Sequence, residues 1–347
     1  MRKLLYPFSL IYGLVVSFRN GLFRIGMLPE KRFELPIIGI GNLRVGGTGK
    51  TPMTEYLIAL LSGTRSLGVV SRGYGRKTNG YVVADSESTA LEIGDEPSQI
   101  IQKFPQIRLA VDEKRVHGIE QLRLEENPPN TILLDDVYQH RYVKPGLLIL
   151  LTAHDHLYID DSVLPVGMLR EPKWGANRAD IIVVTKCPVS LSAFEKRAIS
   201  DHLRPMSHQQ VLFSFQSYGQ PYPILMRQKW KAQGRTKMLL VTGIVNAQSM
   251  KQHLEKSFEL IHHFEFPDHH WFTDANIESI AAVFEKENSE KTIIVTTEKD
   301  AQRLKPFVEN ETFAHLPIFA LPMKVQFFKD DEGHFNQTIH EYIRSHQ

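Results

Sequence analysis

IIGIGNLRVGGTGKTPMTEYLIALL, residues 37–61, decides the fold. Its first five residues are apolar without polar alternation, as expected of a strand buried on both faces. From Thr51 to Leu61 the pattern turns helical. Between them lies RVGGTGKT (44–51), in the strand–turn–helix context that a phosphate-binding loop requires. Gly46, Gly47 and Gly49 let successive main-chain N–H groups, with those of Thr48, curl around phosphate oxygens. The N-terminus of the following helix adds partial positive charge. Lys50 is placed to reach the β- and γ-phosphates, and the Thr51 hydroxyl suits Mg²⁺. The glycine that usually opens such a loop is replaced by Arg44, but the glycines that follow keep the turn flexible. The implied chemistry is binding of ATP with Mg²⁺ and transfer of a phosphoryl group.

Outward from this segment, apolar runs of strand length recur at 68–71, 107–111, 131–134, 147–151 and 180–185. Such runs interleaved with helices predict an α/β fold, a doubly wound, mostly parallel sheet of the P-loop NTPase kind. The run 131–134 ends in Asp135-Asp136, acid at the carboxyl end of a strand, where a carboxylate can hold Mg²⁺ directly or through water. Which of the two does so is open. After Leu203 the texture changes around Pro205, Pro221 and Pro223. A second alternation then begins, with strands at 238–242, 261–266 and 292–296, helices at 247–258 and 274–287, and a short helix after Lys299. The expected organisation is a helix over 1–28, a P-loop domain over 29–207 and a second, smaller α/β domain over 208–347. Stretches near 211–218 and 318–328 read as linker strands.

The 347 residues carry a net charge of +2, which argues against holding nucleic acid by bulk charge. Cys187 is the single cysteine, so no intrachain disulfide forms and a reducing compartment is expected. Residues 4–18 are uncharged, shorter than the roughly 20 residues a membrane span needs. Leu4, Phe8, Ile11, Tyr12, Val15, Phe18 and Leu22 recur at three- and four-residue steps, with Arg19, Arg24, Lys31 and Arg32 near the end. An amphipathic helix lying in an anionic membrane interface fits this pattern, and so does a core-packed helix with a basic flank.

Taken together, the motifs resemble the tetraacyldisaccharide 4′-kinase family. They are GNLRVGGTGKTP (41–52), SRGYGR (71–76), GDEP (94–97), LLDDVYQH (133–140), PVGMLREP (165–172), VTGIVN (241–246), FPDHHWFT (266–273) and TTEKDAQRL (296–304). Each is weak alone; their order and spacing are specific. Val137 and Tyr138 depart from the glycine and phenylalanine usual after the acidic pair. The resemblance implies that ATP phosphorylates the 4′-hydroxyl of a tetraacylated glucosamine disaccharide 1-phosphate, forming lipid IVA in lipid A biosynthesis. It implies Asp95 as the base and His269 as its partner, although GDEP also reads as a helix start. Tyr74, Arg115, Gln139, Arg170 and Glu171 match positions near substrate or nucleotide. Glu298 and Lys299 match the family without a derivable role, beside a helix cap at Thr297.

A dyad divided between two domains requires the domains to close. An acylated substrate places the enzyme at the cytoplasmic face of the inner membrane, peripheral or monotopic, with no obligate protein partner evident. Two other readings are a soluble P-loop kinase acting on a small metabolite and a non-catalytic nucleotide switch. Thr185-Lys186 resembles the base-reading segment of GTPases, but Cys187-Pro188 follow where an aspartate is needed.

Overall fold

The computed structural model describes residues 2–225, 236–287 and 291–346. Helix α1 (Tyr6–Arg24) leads to β1 (Ile37–Asn42), and α2 (Lys50–Leu61) opens from the glycine-rich turn. Then follow β2 (Leu67–Ser71), β3 (Val82–Ala84), α3 (Ala90–Ile93), α4 (Asp95–Lys103), β4 (Arg108–Val111), α5 (Arg115–Arg123) and β5 (Thr131–Leu134). Next come β6 (Leu147–Ala153), β7 (Ile181–Thr185), α6 (Ala193–Leu203), β8 (Gln210–Tyr218) and β9 (Tyr222–Pro223). The second alternation is β10 (Thr236–Thr242), α7 (Gln248–Leu254), β11 (Phe258–Glu265), α8 (Asp274–Lys286), β12 (Thr292–Thr297), α9 (Glu298–Leu304), α10 (Glu311–His315) and β13 (Ile318–Leu321). β14 (Met323–Phe327) and α11 (Lys329–Arg344) close the chain.

The large sheet has the order β14-β8-β7-β6-β1-β5-β2-β4-β3, parallel except at the two edge strands. β1 is central and fully buried, paired with β5 on one side and β6 on the other. The chain leaves β1 towards β2 and leaves β6 towards β7, in opposite directions. In open α/β sheets, the crevice at the carboxyl ends of such strands is where ligands bind. The second sheet has the order β11-β10-β12-β13-β9.

The expected boundary at 207/208 is corrected by the strand pairing. β8 adds to β7, β14 adds to β8, and α11 packs beneath α2, so the described parts of 222–321 are an insertion in the first domain. The cause is apolar patterning at the chain's end. Val325 and Phe327 alternate along β14, and Phe335, Ile339 and Ile343 recur every four residues on α11. They cover Met53, Leu57, Ile58 and Leu61 of α2 in one core, with Tyr56 packed edge-on against Phe327 and Phe335. The stretch 318–328 is therefore two strands in different sheets, separated at Pro322. The two crossings lie together: Gly219 N donates to Pro322 O at 2.9 Å, and a β-carbon at Gly219 would sit 2.8 Å from the proline ring.

Helix α1 turns its polar side inward. Ser9 Oγ donates to Val163 O (2.6 Å), Tyr12 OH to Arg170 O (2.8 Å) and Asn20 Nδ2 to Glu171 Oε2 (3.0 Å). Phe8, Leu10, Ile11, Leu14, Val15 and Phe18 are each at least 60% exposed, which removes the core-packed reading. Among the described residues, no helix is long and apolar enough to cross a membrane.

Candidate active site

The phosphate-binding loop is held by side chains from two strands. Gly46 and Gly49 take φ of 111° and 89°, conformations that a β-carbon would strain. Asn42, ending β1, donates to the Thr48 hydroxyl at 2.7 Å, and Thr185, ending β7, donates to Thr48 O at 2.8 Å. Lys50 and Thr51 follow in the first turn of α2, and Lys50 Nζ lies 3.8 Å from Asp136 Oδ1.

The two adjacent aspartates have different surroundings. Asp135 is buried and accepts from the Thr54 and Ser71 hydroxyls, each at 3.3 Å. Burial, then the negative charges of Glu96 and Asp136, push its carboxyl above the usual range. Asp136 is in the left-handed region (φ 46°) and turns to Lys50 and Arg170. Burial opposes its ionisation, but Lys50 and Arg170 outweigh that and hold it at about 2. Arg170 makes a forked contact, Nη2 to Oδ1 at 2.8 Å and Nη1 to Oδ2 at 3.2 Å, and its Nη2 also bonds Asn42. Val137 and Tyr138 then lie over β1, where β-carbons at Gly39 and Gly41 would meet them at 2.8 and 2.6 Å. Strand glycines thus make room for the larger residues found in this loop.

Not every residue expected at substrate presents its charge to the crevice. Arg115 is 2% exposed and lies beneath the acidic pair, donating to Asp112 O (3.0 Å) and Asp135 O (3.4 Å). Burial lowers its guanidinium to about 10. Glu171 is 1% exposed and is held by Arg178, Asn20 and Gln139. Gln139 also donates to Asn42 O at 2.9 Å. In this structure the polar ends of Arg115, Glu171 and Gln139 turn to protein partners, bracing the loop, the acidic pair and α1. Tyr74 is 65% exposed, with its ring edge-on to His269 at 5.1 Å.

Gly94 (φ 94°) approaches so closely that a β-carbon would sit 2.9 Å from Tyr74 O, which brings GDEP against SRGYGR. Asp95 follows as the first residue of α4, above the carboxyl edge of the sheet. Its Oδ2 meets three groups from the inserted domain: His269 Nδ1 at 3.0 Å, Arg303 Nη2 at 2.8 Å and Nε at 3.1 Å, and Lys299 Nζ at 3.8 Å. Oδ1 accepts from Glu96 N at 2.9 Å. Burial would raise the Asp95 carboxyl, but His269, Lys299 and Arg303 overcome it and hold it well below the usual range. The two domains are closed here, with both members of the expected dyad in contact. Thr297 caps α9 through Asp300 N at 2.9 Å, as the sequence suggested. Glu298 joins the domains through Lys103 (2.9 Å), which also binds Glu55 on α2 (2.6 Å). Sequence reasoning missed Arg303. Its signal was present, since Arg303 follows Lys299 by four residues and so shares its helix face.

Comparison with known proteins shows the family and the fold. The family model described as tetraacyldisaccharide-1-P 4′-kinase matches residues 1–344. A tetraacyldisaccharide 4′-kinase of Bacteroides thetaiotaomicron is 45% identical over 358 residues, covering 99% of this chain and 94% of that one. One from Flavobacterium johnsoniae is 44% identical over 349 residues, covering 99% and 98%. A crystal structure of LpxK from Aquifex aeolicus in complex with ATP matches with a TM-score of 0.77 at 28% identity, covering 99% of both chains. With the motifs, the fold and the full length all in agreement, the chain belongs to the tetraacyldisaccharide-1-P 4′-kinase family.

Proposed function

We propose that the carboxyl edge of the large sheet performs the family's reaction through a loop that grips phosphate and a carboxylate that receives a proton. The chain is a kinase that phosphorylates the 4′-hydroxyl of a tetraacylated disaccharide 1-phosphate in lipid A biosynthesis. Membership of this family displaces the small-metabolite and nucleotide-switch readings. The donor is ATP, its phosphates wrapped by the main chain of Gly46, Gly47, Thr48 and Gly49 and met by Lys50. Asp95 accepts the hydroxyl proton, with His269 orienting it. The 4′-oxygen bonds to the γ-phosphorus, the bond from that phosphorus to the β–γ bridging oxygen breaks, the proton passes to Asp95, and ADP leaves. Arg170 and the exposed Tyr74 stand where phosphate or sugar oxygens enter, with Gln139, Arg115 and Glu171 supporting them.

Thr51, Asp135 and Asp136 fit Mg²⁺. All three are oxygen donors, and burial with the negative charges of Glu96 and Asp136 raises the Asp135 carboxyl, a cost that a bound cation would relieve. Mg²⁺ is commonly held by one or two carboxylates, its remaining positions filled by phosphates and water. When bound, the ion neutralises charge on the β- and γ-phosphates.

Helix α1 supports a place at the membrane surface, for this family at the cytoplasmic face of the inner membrane, where the lipid substrate resides. Its six outward side chains are each worth about 1.5–3 kcal/mol on full burial, so partial immersion already favours docking.

The observation that carries the reading is the 3.0 Å Asp95–His269 contact, made across two domains on the strand edge that bears Lys50. The test is radiolabelled ATP with detergent-dispersed disaccharide lipid. Label should appear in the lipid; label in free phosphate alone would overturn the reading.

A further inference from the structure

TTEKDAQRL has no role in the reaction so far, yet α9, which it contains, presents two cations to Asp95. Lys299 and Arg303 lie one turn apart on α9. Arg303 is 1% exposed and directs its donors to Asp95 and to groups of the insertion. Nη2 and Nε clasp Asp95 Oδ2, while Nη1 reaches Asp300 Oδ1 (3.0 Å), Gly243 O (3.2 Å) and His270 O (3.3 Å). Asp300 is fixed in turn by Gly243 N at 3.0 Å and by the Thr297 hydroxyl at 2.7 Å. Gly243 leaves the necessary space, since a β-carbon there would sit 3.0 Å from Asp300 and 3.2 Å from Arg303. His269 of FPDHHWFT and Arg303 of TTEKDAQRL thus meet on one carboxylate oxygen, with Gly243 of VTGIVN bracing Arg303 and Asp300 behind them.

The two oxygens of Asp95 are consequently unequal. Oδ2 is filled by His269 and both Arg303 donors, whereas among the described residues Oδ1 accepts only the amide of Glu96. We infer that Arg303 is a positioning residue for phosphoryl transfer, anchoring Asp95 through Oδ2 so that Oδ1 is the atom that takes the 4′-hydroxyl proton. Lys299 supports the same arrangement. Its Nζ lies 3.3 Å from His269 Nε2 and 3.1 Å from Glu96 Oε1. An ammonium donating to Nε2 selects the tautomer with hydrogen on Nδ1, which then donates to Asp95. The charged groups facing Asp95 are therefore His269, Lys299 and Arg303 from the inserted domain and Glu96 beside it, with Asp268 3.7 Å from His269 and Asp300 behind Arg303. With Arg303 in place the buried carboxylate stays ionised throughout the neutral range. Burial opposes that ionisation, with His269 and Lys299 the larger counterweights and Arg303 a further one, so losing Arg303 shifts the carboxyl upward.

This inference rests on Asp95 being the base. The test follows kcat against pH for the full-length enzyme with ATP and detergent-dispersed lipid, in Arg303→Gln and Arg303→Lys, with Asp95→Asn measured in parallel. Arg303→Gln is expected to lower kcat about ten- to hundred-fold at pH 7 and to move the acidic limb of the profile upward by a pH unit or more. KM for ATP should stay near its original value. Arg303→Lys, which keeps a cation without the fork, should fall between, and it stands in if the glutamine variant fails to fold. A profile unmoved in both variants, even with a lower Tm, would mean that Arg303 only fastens the domains, and the inference would be lost. Near-normal turnover in Asp95→Asn would instead remove the base assignment, and this inference with it.

Discussion

The two halves of the site are assembled in contrasting ways. The half proposed to grip phosphate is made by one domain, where Asn42, Thr48, Lys50, Asp136 and Thr185 all sit at the carboxyl ends of strands in one sheet, in the loop between β1 and α2, or at the first residue of α2. The half proposed to handle the proton is divided. Asp95 stands on the first domain, and its partners His269 and Arg303 come from the insertion, 174 and 208 residues later. A sheet buried on both faces holds its loops through many independent contacts. A site spanning an insertion depends on how that insertion is seated. Nucleotide binding should therefore tolerate disturbance of the second domain, while turnover should not.

The most severe test of this contrast is Lys50→Ala. It removes the cation of the phosphate-gripping half, and kcat/KM should fall by roughly 10³ or more, about 4 kcal/mol of transition-state stabilisation. Preserved catalysis and nucleotide affinity would end the assignment. Next in size is Asp95→Asn. Turnover should drop by about 10² to 10³, because in a loose phosphoryl transfer the base contributes less than charge neutralisation. Affinity for a fluorescent ATP analogue should stay within a few-fold of the original. A large loss of nucleotide affinity would show that the halves are not separable.

Lys103→Met sharpens the comparison without touching the site. It leaves Glu55 and Glu298 buried without their shared cation. The expected result is a roughly ten-fold lower kcat, a lower Tm and an unchanged KM for ATP. An equal loss in ATP binding would contradict an independent phosphate grip. Replacing Phe8, Ile11 and Phe18 together by serine should raise KM for lipid in vesicles several-fold and shift protein from the membrane to the supernatant, with KM for ATP unaltered. Unchanged partition would disprove the role given to α1.

The smallest effect concerns pH. The cations hold Asp95 below the ordinary carboxylate range, so its contribution to seating the insertion is present at neutral pH. It begins to fade only as pH drops below about 4, and it is gone once pH has fallen through the depressed value. Hydrogen-exchange protection of α9, corrected for intrinsic rates, should therefore be nearly equal at pH 8 and pH 5. Marked loss at pH 5 would show that another group governs the joint.

Much of the first domain was legible in local patterns. The loop at 44–51, its flanking strand and helix and the acidic end of the strand at 131–134 each depend on neighbours a few residues apart, as does the cap at Thr297 in the insertion. Arg303 was harder to read, because an arginine on a short helix looks like any surface cation until its partner is known. The organisation over 208–347 misled for a related reason, since the extended pattern of 318–328 is compatible with either sheet. Only the packing of Phe327, Phe335 and Ile339 against α2 selects the large one for β14 and α11.

Residue order alone established a nucleotide-gripping α/β kinase, since glycine conformations, strand hydrophobicity and helix starts are consequences of covalent neighbours. Folding in three dimensions decided which face of α1 meets protein, where the chain's last strand returns, and which oxygen of Asp95 is left available. Those outcomes come from burial and charge pairing between groups more than a hundred residues apart, and the spacing of residues along a chain carries no direct record of such contacts.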